Sequence, residues 1–277
     1  MKIRYLGTGD SCGIPSPFCK CRVCENARKK GEKEIRTRTG ILIDDDLLID
    51  FPPESMVHFA ENQIDSSQIQ SVLLTHTHSD HFYYGDLLPR LEQDTFNIGY
   101  KKLTVYGNAN AVACLVKRGY SADGNGLSCA LELKPFCPER IGTYRVTALP
   151  TAHMLDETSY VYLLEKDGES YLHLLDSPEL SEEVYAYLKE KKIKAQAVSL
   201  DCTFGTIEKE YFGHMNLTQC RRVRDKLCAA EITNTDTCFV LTHIAHCCRQ
   251  THEELAFIAE QYGMILAYDG MQIEILK

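Results

Sequence analysis

Tryptophan is absent from the 277 residues, and no apolar run approaches the roughly 18 residues that a membrane-spanning helix needs. The opening Met1-Lys2-Ile3-Arg4-Tyr5-Leu6-Gly7 lacks the apolar core of a secretory signal and reads as a first strand. These two absences predict a cytoplasmic protein with no membrane partner. An excess of positive charge is missing as well: 30 Lys and Arg stand against 39 Asp and Glu, a net −9. Such a surface repels a phosphate backbone at long range, so nucleic acid is not an expected partner. A small anion can still bind where local cations or metals reverse the field. No linker, low-complexity tract, like-charge block or short-period repeat divides the chain, which predicts one domain over 1–277.

What the chain has in quantity is cysteine, 13 in all. In the cytosol that number predicts thiols and metal ligands rather than disulfides. Apolar, β-branched runs predict strands at 3–6, 40–43, 47–51, 71–74 and 103–106, and again at 143–149, 159–164, 171–175, 197–200, 238–241 and 264–268. Helical spacing appears between them at 52–62, 83–94, 109–118, 181–191, 217–230 and 251–262, the last opened by the capping-box pattern Thr251-x-x-Glu254. Strands interleaved with helices predict α/β architecture. The stretch 119–127, rich in Gly, Asn and Asp, reads as a surface loop or the link between halves.

The chemistry concentrates in Leu74-Thr75-His76-Thr77-His78-Ser79-Asp80-His81, which follows an apolar strand and precedes a helical pattern. A strand-to-helix turn splays alternate side chains, so that His76 and His78 serve one cation while Asp80 and His81 serve another. Imidazole with carboxylate suits zinc, manganese, iron or cobalt.

This His-x-His-x-Asp-His segment resembles the signature of the metallo-β-lactamase superfamily, whose fold is an αβ/βα sandwich. The resemblance implies further ligands at later strand ends. His153 looks like the third ligand of the first metal, Asp176 like the carboxylate that bridges both ions, and His243 like the last ligand of the second. His58 and His252 match none of these positions and read as helix-surface residues, and His173 as a strand residue. Asp50 reads as support for a metal ligand rather than as a ligand itself.

Cys19-Lys20-Cys21-Arg22-Val23-Cys24 supplies three thiolates in a short loop, one ligand short of a tetrahedral structural zinc site. His246 is the candidate fourth. Here the likeness narrows to the PhnP-type phosphodiesterases, which show the same Leu6-Gly7-Thr8-Gly9, Gly13-Ile14-Pro15 and cysteine pattern and a matching Thr242-His243-Ile244-Ala245-His246. That resemblance implies two divalent active-site metals (Mn²⁺ or Zn²⁺), one structural Zn²⁺ and a homodimer. It also implies a small cyclic phosphodiester as substrate, with 5-phosphoribosyl 1,2-cyclic phosphate, hydrolysed to ribose 1,5-bisphosphate, as the analogue. His214 resembles the non-ligand histidine that protonates the leaving group in related phosphodiesterases, and Asp201 is placed to orient it.

Other chemistry on the same ligand set stays open. Transfer-RNA 3′-end processing is the first alternative, although no long Gly/Pro-rich arm is present and the charge is acidic. Thioester or lactone hydrolysis also remains, because the metal core does not choose the bond. Arg36, Arg38, Arg90 and Lys20 are the cations available to meet a second phosphate.

Overall fold

The computed structural model describes residues 1–91, 101–208 and 211–275. The first sheet is built from β1 (Lys2–Gly7), β2 (Gly40–Ile43), β3 (Leu47–Ile49), β4 (Ser71–Leu73), β5 (Leu103–Gly107) and β6 (Ser128–Glu132). The second contains β7 (Glu139–Ile141), β8 (Tyr144–Thr151), β9 (Ser159–Lys166), β10 (Glu169–Leu174), β11 (Ala197–Asp201), β12 (Cys238–Thr242) and β13 (Met264–Leu266). A last strand, β14 (Gln272–Glu274), returns to the first sheet beside β1, giving orders β14-β1-β2-β3-β4-β5-β6 and β13-β12-β11-β10-β9-β8-β7. The helices are α1 (Arg22–Lys30), α2 (Ser55–Glu61), α3 (Ala109–Val116), α4 (Glu182–Glu190), α5 (Leu217–Ala229) and α6 (His252–Glu260). No helix among the described residues is long and apolar enough to cross a membrane.

The strands read as unbroken apolar runs because both faces of each sheet are covered. Successive side chains point to opposite faces. Ile41, Ile43, Leu47 and Ile49 therefore meet Tyr160, Tyr162, Tyr171 and Val240 between the sheets. Their neighbours Leu42 and Leu48 turn outward to Leu74, Val105 and Leu115 of the α3 layer. On the far side, Val184 and Leu188 of α4, Val223 and Leu227 of α5 and Leu255 of α6 cover Leu172, Leu174, Val198, Leu200 and Leu241. The result is an αβ/βα sandwich, as the resemblance implied.

Strand direction positions the site. β3, β4, β5 and β6 are parallel, as are β10, β11, β12 and β13. β8 pairs antiparallel with β9, and β9 antiparallel with β10, so β8 also runs with β10. The chain leaves β3 at Asp50, β4 before His76, β8 before His153, β10 before Asp176, β11 at Asp201 and β12 before His243. Carboxyl ends of parallel strands are where open sheets place ligands.

Five elements differ from the sequence expectation. The periodicities that predict strands and helices do not mark α1, β6, β7 or β14. The expected helix over 83–94 is a 3₁₀ segment, Tyr84–Leu91, with Pro89 inside it. Proline removes a backbone donor and opposes regular α-helix there. Residues 92–94 of that expectation lie outside the described residues.

Candidate metal centres

The loop after β4 is shaped by its own backbone bonds. Leu74 N–H donates to Tyr106 O at 2.8 Å, and the N–H groups of His81 and Phe82 both return to His78 O, at 3.0 and 2.8 Å. That turn sends His76, Asp80 and His81 inward, each 8% exposed or less, and leaves His78 on the open side.

Each inward imidazole is fixed from behind through Nδ1. Thr75 Oγ1 donates to Asp50 and in turn accepts from His76 Nδ1–H at 2.9 Å. His81 Nδ1–H donates to Asp50 Oδ2 at 2.7 Å, and His153 Nδ1–H to Gly213 O at 3.0 Å. Thr203 Oγ1 donates to Asp201 Oδ1 and accepts from His243 Nδ1–H at 2.8 Å. A neutral imidazole that donates through Nδ1 presents a bare lone pair at Nε2. Burial pushes the pKa of His76 and of His153 down, which keeps both neutral.

These lone pairs converge. His76 Nε2 and His153 Nε2 lie 2.8 and 3.2 Å from His78 Nδ1. One ring hydrogen cannot satisfy both, so the three nitrogens fit a cation better than a hydrogen-bond network. Asp176 enters the same space, with Oδ2 at 3.0 Å from His81 Nε2 and 3.3 Å from His243 Nε2, and Oδ1 at 3.6 Å from His153 Nε2. Asp80 Oδ2 lies 3.3 Å from His81 Nε2. Among the described residues, His81 Nε2, His243 Nε2 and Asp176 Oδ2 are buried without a hydrogen-bond partner. Buried polar atoms are rarely left so, because each costs about 1–3 kcal/mol. Acceptors that are unsatisfied and face one another are what divalent cations neutralise. Asp50, Asp176 and His243 all take positive φ, at 63, 46 and 61°. Left-handed backbone at non-glycine residues is strained and recurs at functional sites.

His214 stands at the edge of this cluster. Its Nδ1–H donates to Asp201 Oδ2 at 2.8 Å, and Asp176 Oδ1 is 3.8 Å away. Burial opposes charge on this ring, but Asp201 outweighs it and lifts the imidazole to about 9. The chain reaches His214 through Gly213, whose φ is +85°. A Cβ there would sit 2.7 Å from His153 Nδ1, so only glycine lets the backbone pass this close.

A second cluster lies at the N-terminal loop. Ligand atoms of Cys19, Cys21, Cys24 and His246 are all within 4.8 Å of one another. Cys19 Sγ and Cys21 Sγ lie 3.5 and 3.6 Å from His246 Nδ1. Thiolate and imidazole bound tetrahedrally at about 2.3 and 2.05 Å span an edge of about 3.6 Å, so the residues present fit zinc. Burial opposes the Cys21 thiolate, yet the Cys24 N–H and His246 bring it down to about 6. The two clusters are joined by backbone: Asp10 N–H donates to Ile244 O at 3.2 Å and Ile244 N–H to Thr8 O at 2.9 Å. Ile244 lies between His243 and His246.

Two histidines are placed differently from expectation. His58, read as a helix-surface residue, is 1% exposed because α2 turns that face onto Thr37. His252 is half-buried, and its Nδ1 meets Arg36 at 2.8 Å. Arg36 is itself buried and also donates to Thr8 Oγ1 and Ala267 O, so it serves the fold and not a substrate phosphate. Arg38 is held by Glu54 and Ser11 O, Arg90 donates to Lys101 O, and Lys20 is exposed on the cysteine loop. Thr75, Thr203, Gly213 and Glu157, which accepts from Thr77 N and Oγ1, were not singled out in the sequence. Nothing in their local spacing separates them from ordinary loop residues.

A family profile described as a beta-lactamase superfamily domain matches residues 47–244. An octanoyltransferase of Porphyromonas gingivalis (strain ATCC BAA-308 / W83) is 32% identical over 163 residues, which are 55% of this chain and 31% of that protein. This chain thus spans about a third of the length of that curated relative. Among solved structures, a diphosphatase from the PhnP family superimposes with a TM-score of 0.74 at 21% identity, covering 99% of this chain and 98% of the other. Zn²⁺-bound PqqB from Methylobacterium extorquens gives 0.73 at 18% identity, covering 99% and 100%. The short form of human tRNase Z gives 0.67 at 17% identity, covering 100% of both.

Proposed function

The chain belongs to the beta-lactamase superfamily, and on that premise we propose that it is a metal-dependent phosphodiesterase acting on small cyclic phosphodiesters. The observation that carries this reading is the convergence of His81 Nε2 and His243 Nε2 on Asp176 Oδ2, all three buried without a hydrogen-bond partner, with His214 beside them donating to Asp201. In the first position His76, His78 and His153 would hold a divalent cation; in the second Asp80, His81 and His243 would hold another, with Asp176 shared. Manganese or zinc suits this donor set, and zinc suits Cys19, Cys21, Cys24 and His246. Two such cations, when bound, supply Lewis acidity toward phosphoryl oxygens and a water acidic enough to attack at neutral pH.

The protein's own groups do the rest. Asp50 and Thr75 hold ligands of both positions, and Thr203 ties His243 to Asp201. With Nδ1–H committed to Asp201, His214 offers the proton on Nε2 to the leaving oxygen. A leaving alkoxide needs that proton, and a positioned general acid contributes about 10²–10⁴ in rate. The PhnP-family diphosphatase and tRNase Z support phosphate ester chemistry by analogy only. The octanoyltransferase relative makes thioesters the chemistry to test against.

The test compares Mn²⁺-loaded wild type and His214→Ala on bis-(p-nitrophenyl) phosphate, p-nitrophenyl phosphate, a 2′,3′-cyclic nucleotide and an octanoyl thioester. Wild type is expected to cleave the diesters and leave the monoester and thioester nearly untouched. His214→Ala is expected to keep its metals and lose about 10²–10⁴ in kcat on the cyclic nucleotide. Thioester cleavage without diester cleavage by fully loaded wild type would overturn the reading. Loss of an active-site metal in His214→Ala would place that residue among the ligands.

A further inference from the structure

His76 is flanked by two threonines, and a carboxylate grips each of them in the same way. Asp50 accepts from Thr75 N–H at 2.8 Å and from the Thr75 hydroxyl at 2.9 Å. Glu157 accepts from Thr77 N–H at 2.7 Å through Oε1 and from the Thr77 hydroxyl at 2.9 Å through Oε2. Donors facing an ionised carboxylate make shorter and stronger bonds than neutral pairs do. The two carboxylates differ in where they come from. Asp50 lies at the end of β3, the neighbour of β4 in the same sheet. Glu157 belongs to the other sheet, in the loop between β8 and β9, four residues after His153.

The first metal position is divided between these same two loops. His76 and His78 come from the loop after β4 and His153 from the loop after β8. Imidazole nitrogens bind at about 2.0–2.1 Å, so the two loops must keep a close separation for all three to reach one cation. Glu157 spans that separation. Its Oε2 also accepts from Asn110 Nδ2 of α3 at 3.1 Å, and Asn108 Nδ2 donates to Thr158 O at 2.9 Å, which fastens the end of the β8–β9 loop to the start of α3. Resting on the first metal position described above, we propose that Glu157 is a positioning residue that clamps the His153 loop to the His76–His78 loop. It acts through Thr77 and thereby sets the spacing of the three imidazoles. The clamp needs the metal position and is indifferent to which ester is cleaved.

The test reads metal binding and not turnover. Protein that keeps zinc at its cysteines and is stripped elsewhere is titrated with Mn²⁺, a hard cation ill suited to thiolate, and free Mn²⁺ is followed by electron paramagnetic resonance. The binding step that disappears in His78→Ala belongs to the first position. Glu157→Ala is expected to weaken that step about 10–100-fold, the range found when the group behind a ligand is removed. Glu157→Gln keeps an acceptor for Thr77 N–H and is expected to recover part of the loss. Thr77→Val is expected to weaken the step less than Glu157→Ala does, and to add little when combined with it, because both act through one contact. An unchanged step in Glu157→Ala, or losses that simply add in the double variant, would overturn the clamp. A lowered melting temperature with Mn²⁺ affinity intact would also overturn it and leave Glu157 a part of the fold alone. If wild type shows no step that His78→Ala removes, the metal position itself is wrong, and the proposed function falls together with the clamp.

Discussion

The Nδ1 atom of His58 has no hydrogen-bond partner, and its Nε2–H faces the Thr37 hydroxyl at 2.7 Å. Burial alone holds this imidazole down at about 4, against 6.5 for the free side chain. Between those values the unfolded chain binds a proton that the folded chain refuses. Stability is therefore full above about pH 6.5 and falls as the pH drops toward 4, by up to about 3 kcal/mol from this residue. Urea midpoints measured across that window should show a shallower pH slope in His58→Gln than in wild type. Parallel slopes would mean that His58 does not titrate as its burial dictates. At the same scale, His76, His78, Asp80 and His81 were legible because they lie in one dense motif, and His153, Asp176 and His243 because the resemblance that motif carries implied them at later strand ends. The hydroxyls that orient them, Thr75 and Thr203, were not, since a threonine beside a histidine carries no periodic signal.

Among elements, the short strap 211–214 matters out of proportion to its length. It brings Gly213 onto His153 and His214 onto Asp201, and α5 begins immediately after it with Asn216 and Gln219 in a reciprocal cap. Gly213→Ala would force a Cβ against His153 Nδ1 in a backbone conformation that suits glycine. Displacing the group behind a ligand typically costs about 10–100-fold in metal affinity. The expected outcome is loss of that order at the His76, His78 and His153 position with the cysteine-bound metal retained, read by competition with a chelator. Unaltered affinity there would show that His153 does not depend on the strap. The strands that lead into the site were legible because burial on both faces leaves unbroken apolar runs. α1 was not: Val23, Cys24 and Ala27 are its only buried positions, too few to set a 3.6-residue period amid charged neighbours.

For the whole molecule, the cysteine cluster connects parts that are far apart in the chain. Cys19, Cys21 and Cys24 come from the loop before α1 and the start of α1, and His246 follows β12, so a cation there closes a span of more than 200 residues. Cys21→Ala should lose one equivalent of zinc and lower the melting temperature by roughly 5 °C or more. Unchanged zinc and melting temperature would refute a structural metal at that place. Because Ile244 pairs with Thr8 and Asp10 between the two centres, the same variant reports how far the loop steadies His243.

The sequence by itself determined the α/β alternation and the dense His-x-His-x-Asp-His motif, and through the resemblance that motif carries it implied the sandwich and the later converging side chains. The signals are local: a doubly buried strand must be apolar along its length, and three histidines with a carboxylate within six residues stand out in any chain. Tertiary structure decided everything that depends on two distant segments meeting. It put Asp50 behind both His76 and His81, turned His58 and Arg36 inward, and gave His153 Nδ1–H its acceptor in the Gly213 carbonyl. No short-range pattern encodes those meetings, because they follow from the way two sheets stack and align their strand ends.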